Sequence, residues 1–201
     1  GTVNPEAPEE YQAVSERHEF LASQMEDLRQ AEKTLRKAIE ELREIMEERF
    51  RASFQQVNEE FGRCFTTLFG GGTAKLVLTQ PDDPLQGGVD VLATPPGRKP
   101  GSLISLSGGE RSLTAVALLF ALMRVNPGPF CLLDEVDAAL DESNVKRFCE
   151  MVHTLADTTQ FIVITHNRTT METASALYGV SMSADSVSRV MSLKLNGHED
   201  V

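Results

Sequence analysis

Three short stretches carry residue types that can do chemistry on a phosphate. The first is Phe130-Cys131-Leu132-Leu133-Asp134-Glu135, an apolar run ending in two carboxylates. Such a run reads as a buried strand delivering both acids to the carboxyl edge of a sheet, where α/β sheets bind ligands. There the first acid could hold Mg2+, directly or through water, and its neighbour could polarise an attacking water. A helix N-cap followed by a first-turn acid accounts for the same pair without chemistry. The second stretch is Leu106-Ser107-Gly108-Gly109-Glu110-Arg111, small residues opening a helix whose first backbone N–H groups are free to meet an anion. Alone, Ser-Gly-Gly is equally a turn before a helix. The third is Ile162-Val163-Ile164-Thr165-His166, an apolar run ending on a histidine that could equally be a satisfied structural residue. Chance is a poor explanation for all three in one order.

The elements that must position these groups alternate. Helix is predicted from Gly109 to Val125, strand from Phe130 to Asp134, helix from Glu142 to Ala156 and strand from Gln160 to Thr165. A shorter helix, Thr169 to Ala176, leads to closing strands near Tyr178 to Met182 and Arg189 to Leu195. This alternation predicts an α/β domain with a largely parallel sheet and helices on both faces. Ahead of it, strands are expected over Ala74 to Gln80 and Gly88 to Thr94, followed by a loop at Pro95-Pro96-Gly97-Arg98-Lys99 that breaks any strand.

From Tyr11 to Phe69 the pattern is helical. Leu21, Leu28, Leu35 and Leu42 recur every seven residues, with Met25, Ile39 and Met46 between them and only Glu32 interrupting. That is a coiled-coil seam, although an amphipathic helix packed on its own domain would show a similar stripe. Phe50, Phe54, Val57, Phe61, Phe65 and Leu68 then continue at helical spacing, as a helix entering a core does, until Gly70-Gly71-Gly72 ends it.

The chain has 201 residues and a formal net charge of -11, so its average surface repels nucleic-acid phosphates. Cys64, Cys131 and Cys149 are too scattered for a disulfide framework or a zinc site and fit reduced thiols in a cytoplasmic protein. The longest apolar stretch, Ala115 to Met123, falls short of the roughly 20 residues a membrane span needs, and Gly1 to Glu10 does not read as a secretory signal.

As a set, the motifs resemble the C-terminal head segment of a structural maintenance of chromosomes (SMC) protein, in particular a prokaryotic one. Leu106 to Arg111 looks like the signature, Leu132 to Asp141 like a Walker B motif running into a D-loop, and Ile164-Thr165-His166 like the switch histidine. Phe69 to Leu76, Pro95 to Gly97, Leu177 to Val180 and the opening Val3-Asn4 with Glu10-Tyr11 extend the resemblance over nearly the whole chain.

The resemblance implies the C-terminal lobe of an ABC-type (P-loop NTPase) ATPase head, using ATP and Mg2+. Asp134 would contribute to the metal and Glu135 would be the catalytic carboxylate. His166 would contact the γ-phosphate, while Ser107, Gly108 and Gly109, with Glu110, would serve the ATP held by the opposite head. Ala139, Leu140 and Asp141 would form the D-loop across the dimer interface. The implied organisation is a coiled-coil stub over 1–49, the lobe over 50–195 and a tail over 196–201.

No Gly-Lys pair occurs in the chain, so the phosphate loop pattern Gly-x-x-x-x-Gly-Lys-Ser/Thr is absent. Without that cradle the chain alone should bind ATP poorly and hydrolyse it negligibly. SMC proteins carry it on the N-terminal head segment, which the resemblance implies as a partner together with a second head, a kleisin subunit and, through the complete complex, DNA. Arg98-Lys99 reads as a solvated loop more readily than as a DNA contact. A cytoplasmic, nucleoid-associated protein with no membrane contact is expected. Two other readings stay open: a related coiled-coil DNA-repair ATPase, and a non-catalytic coiled-coil interaction module.

Overall fold

The computed structural model describes residues 7–99, 101–182 and 185–195. The chain forms two compact units that meet within one helix, the first ending at Arg51 and the second beginning at Ala52. That helix, α1, is Ala7–Phe69, 63 residues without a break.

In the first unit α1 is stabilised along its length by side-chain pairs one turn apart. Glu32 accepts from Arg36 at 2.8 and 2.9 Å, Lys37 pairs with Glu41 at 3.5 Å and Glu47 accepts from Arg51 at 2.7 Å. Each such pair adds only a few tenths of a kcal/mol, about 0.3–0.5. Glu32, the break in the leucine repeat, is thus anchored by its own helix. The heptad residues themselves are exposed: Leu21, Leu28, Leu35 and Leu42 are 54–70% accessible, and Met25, Ile39 and Met46 are similar.

The second unit is built on the aromatic end of α1. Phe61, Phe65 and Leu68 are fully buried. They share a core with Leu113, Ala117, Phe120 and Ala121 of α2 (Gly108–Val125), Val145, Phe148 and Met151 of α3 (Glu142–Leu155), and Leu133. Phe120 stacks on Phe148 with ring centroids 5.8 Å apart and meets Phe161 edge-on at 6.4 Å. The Gly70-Gly71-Gly72 stop has positive φ throughout, and at Gly72 a Cβ would lie 2.4 Å from the Thr94 carbonyl oxygen, so only glycine fits there.

Strands β1 (Thr73–Leu78), β2 (Val89–Thr94) and β3 (Gly101–Ser102) form an antiparallel sheet in that order. Asn58 of α1 accepts from the Leu76 amide at 2.6 Å and ties the helix to it. The Pro95 loop does end β2, but the chain re-enters the sheet as β3, which the sequence pattern did not indicate.

Strands β4 (Phe130–Asp134) and β5 (Gln160–Ile164) pair in parallel, with Asp134 opposite Ile164. After the short helix α4 (Arg168–Glu172), β6 (Ala176–Met182) and β7 (Ser188–Lys194) close the chain as an antiparallel pair. The expectation of a largely parallel sheet is therefore corrected: among the described residues, β4–β5 is the one parallel pair.

The reading of β4 as a fully buried strand is corrected too. Leu133 is 2% exposed on the core side, but Phe130 and Leu132 are 64% and 59% exposed on the other, as are Ile162 and Ile164 of β5 at 49% each. A continuous apolar run is the pattern of a strand covered on both faces, and here one face is covered. α4 also stops four residues short of the expected Ala176, because Ala176 already belongs to β6.

Candidate functional site

The parallel pair carries the two carboxylates and the histidine to one edge. Beyond Asp134 the Glu135 amide donates to the Ile164 carbonyl at 2.9 Å, continuing the ladder by one bond. Glu135 itself lies at φ +46, in the left-handed region that costs a non-glycine residue about 1–2 kcal/mol. The strain turns the chain out of the strand and into the loop 136–140, where the Ala138 amide returns to the Glu135 carbonyl at 3.2 Å. Backbone strain of this kind is held where surrounding structure over-determines it, and functional sites are its usual location.

Directly beyond β5, His166 faces this turn, its Nδ1 3.8 Å from Glu135 Oε1. That is ion-pair distance for a protonated imidazole and too long for a hydrogen bond. Both side chains are open to solvent, 72% and 63% accessible. Asp134 is also exposed at the strand end. A carboxylate so placed fits Mg2+, which takes one or two carboxylates and otherwise keeps waters and phosphate oxygens. Among the described residues no cluster of three or more His, Cys, Asp or Glu side chains could hold the ion unaided. Asp134 would share it with phosphate and water.

Ser107 is the N-cap of α2. Its hydroxyl accepts from the Glu110 amide at 3.3 Å while its own amide donates to the Glu110 carboxylate at 2.8 Å, a reciprocal capping box. Glu110 also pairs with Arg98 at 3.1 Å. The Ser107 N–H bond, more than the guanidinium, holds the Glu110 carboxyl below its usual range. With Glu110 taken up in the cap, Gly108 and Gly109 present the opening amides of α2, which lack partners within the helix, beside the Ser107 hydroxyl.

At Gly109 an added Cβ would stand 2.7 Å from the Ala139 carbonyl oxygen, so the start of α2 and the loop after β4 are in direct contact. Leu140 is partly buried against the core. Asp141 caps α3, accepting from the Asn144 amide at 2.8 Å and the Ser143 hydroxyl at 2.8 Å, and these bonds, the Asn144 N–H foremost, hold its pKa below the usual carboxylate value.

A further acid, Asp137, lies in the loop that leaves β4. Asp137 is 1% exposed, and its Oδ2 accepts from the Thr165 hydroxyl at 2.6 Å and the Thr170 hydroxyl at 2.5 Å. Its partners lie 28 and 33 positions away, so no local pattern announces them.

The family described as RecF/RecN/SMC N terminal domain matches residues 102–189. The chain is 52% identical over 195 residues to the chromosome partition protein Smc of Bacillus subtilis (strain 168), covering 97% of this chain and 16% of that protein. It spans less than a fifth of the length of such curated relatives. Among solved structures it resembles the Smc head domain of Pyrococcus furiosus with an extended coiled coil, bound to the C-terminal domain of ScpA. There the identity is 37% and the TM-score 0.75, over 92% of this chain and 46% of that one. It also matches a structure described under ATP-driven dimerization and DNA stimulated activation of SMC ATPases, at 39% identity and TM-score 0.65, covering 72% of this chain and 88% of that one. With this likeness to Smc proteins and SMC heads along nearly the whole chain, the chain belongs to the SMC family and is a segment of an SMC head.

Proposed function

We propose that this chain is the C-terminal half of an SMC ATPase head, completing a composite ATP site whose engagement and hydrolysis serve chromosome condensation and segregation. The observation that carries the proposal is the strained turn at Glu135, which sets a solvent-open carboxylate 3.8 Å from His166 beside the exposed Asp134. The domain organisation we assign is a coiled-coil arm over 1–49 and the lobe over 50–195; the expected tail over 196–201 lies outside the described residues.

In this reading Asp134 holds Mg2+, which would neutralise charge on the transferred phosphoryl group. Glu135 orients the attacking water and accepts its proton, and His166 donates a hydrogen bond to the γ-phosphate on its own side. Ser107 and the amides of Gly108 and Gly109 are offered to the nucleotide of the opposite head, with Glu110 holding that helix start in shape and Ala139, Leu140 and Asp141 lining the shared boundary. The phosphate cradle comes from an N-terminal head segment, since the chain contains no Gly-Lys pair. That segment would cover the exposed face of Leu132, Ile162 and Ile164, and its returning helix would pair with the leucine seam. The chain spans 46% of the Pyrococcus furiosus head structure, which suits half a head.

The partners that follow are a second SMC head and a kleisin, the latter because related heads are described with the ScpA C-terminal domain bound, with DNA engaged by the complete complex. The protein so described works in the cytoplasm, on the nucleoid.

The test is co-expression of this chain with the N-terminal head segment of the same protein. Magnesium-dependent ATP turnover should appear only in the mixture, and Glu135→Gln should reduce it at least about a hundredfold while trapping an engaged dimer. No turnover in the mixture, with both segments folded and associated, would leave the non-catalytic interaction module as the better account.

A further inference from the structure

We propose that Asp137 is a positioning residue for His166: one buried carboxylate oxygen gathers the hydroxyls of Thr165 and Thr170 and so holds the histidine loop opposite Glu135. The inference rests on reading Glu135 and His166 as the groups that meet the γ-phosphate and its attacking water.

The geometry is a clamp with two arms. Thr165 precedes His166, and its hydroxyl donates to Asp137 Oδ2 while accepting from the Asn167 amide at 2.9 Å, so the residues on both sides of the imidazole are anchored through one oxygen atom. Asn167 in turn caps α4, accepting from the Thr169 amide at 2.9 Å. Thr170, inside α4, supplies the second hydroxyl to Asp137. The histidine loop is therefore tied at its start and at the helix that follows. On the other side Asp137 belongs to the turn that begins at Glu135, its carbonyl accepting from the Leu140 amide at 3.1 Å. One side chain thereby fixes the spacing between the carboxylate loop and the imidazole loop.

Stability alone is a poor reason for this residue. Asp137 Oδ1 is buried with no hydrogen-bond partner among the described residues, and a carboxylate that is half satisfied costs free energy that an apolar side chain would not. A positional demand explains the choice better, because short bonds to a carboxylate fix geometry more tightly than packing does. Errors of about 1 Å in the placement of reacting groups can cost about a hundredfold in rate.

The test uses the full-length protein and steady-state ATP hydrolysis. Thr165→Val with Thr170→Val removes both donors at nearly constant shape; kcat should fall about tenfold or more while KM for ATP stays within about twofold. Thr165→Ser keeps the hydroxyl and should stay within about twofold of wild type, and Asp137→Asn, which retains an acceptor, should keep most of the activity. In a His166→Ala background, Thr165→Val should add little further loss, because the threonine acts through the histidine. If the double variant does not fold, Thr165→Val alone carries the kinetic comparison.

A kcat unchanged by Thr165→Val, or an undiminished extra loss in the His166→Ala background, overturns the positioning role. Wild-type turnover in Glu135→Gln and His166→Ala would instead overturn the reading on which it rests.

Discussion

The Ala139 carbonyl oxygen and the Gly109 α-carbon are in contact so close that a methyl group on Gly109 would stand 2.7 Å from that oxygen. The start of α2 and the loop leaving β4 therefore share a wall, although Gly109 and Ala139 lie 30 positions apart in sequence. Gly109→Ala must move one of the two by several tenths of an ångström. We expect it to lower ATP-dependent head engagement about tenfold or more while costing about 1–3 kcal/mol of stability. Cross-linking of engaged heads, with urea unfolding of the same variant, separates these effects.

Acid stability should depend on the two helix caps. Glu110 and Asp141 both have lowered folded-state pKa values, each held down chiefly by a backbone N–H. A carboxylate whose folded value is depressed contributes stability above its unfolded value, about 4.3 for Glu and about 3.9 for Asp, and loses it as pH falls through the folded value. Between pH 6 and 8 these groups should give a flat profile, with the loss confined to pH below about 4.3. Glu110→Gln and Asp141→Asn should each flatten that acid limb in pH-dependent urea midpoints; an unchanged limb would contradict the assignment.

The aromatic core backs the site: Phe120 stacks on Phe148 and meets Phe161 of β5 edge-on, in the cluster that also holds Leu133 of β4. Phe148→Ala should destabilise the second unit by about 3–5 kcal/mol, read by chemical denaturation, whereas Phe148→Leu should lose appreciably less.

Substitutions in the heptad seam should behave oppositely. Leu28 and Leu35 are 70% and 64% exposed, so Leu28→Glu and Leu35→Glu should change the unfolding of this chain by less than about 0.5 kcal/mol. In the presence of a helix that pairs with the seam, the same changes should weaken association by more than tenfold, measurable by analytical ultracentrifugation.

Much of the organisation was legible because it is written locally. The period of Leu21, Leu28, Leu35 and Leu42, the glycine stop at 70–72 and the Ser107 cap each depend on neighbours within a turn or two, so α1 and α2 begin or end within a few residues of expectation. The edge that gathers Asp134, Glu135 and His166 was legible for a related reason, since two apolar runs each end on the groups in question.

What only the tertiary structure decided lies in pairings between distant positions. Apolar content does not say which face of β4 is covered, nor that β6 and β7 pair with each other in antiparallel fashion. Asp137 looked like one more polar residue of a loop until Thr165 and Thr170 were brought to it, and the close approach of Gly109 to Ala139 exists only once α2 and β4 share a core. Sequence by itself determined which side chains stand at the ends of the two apolar runs and at the start of α2, because local periodicity and capping are short-range. The fold decided how those groups are held, because burial and hydrogen bonding between remote segments are set by packing alone.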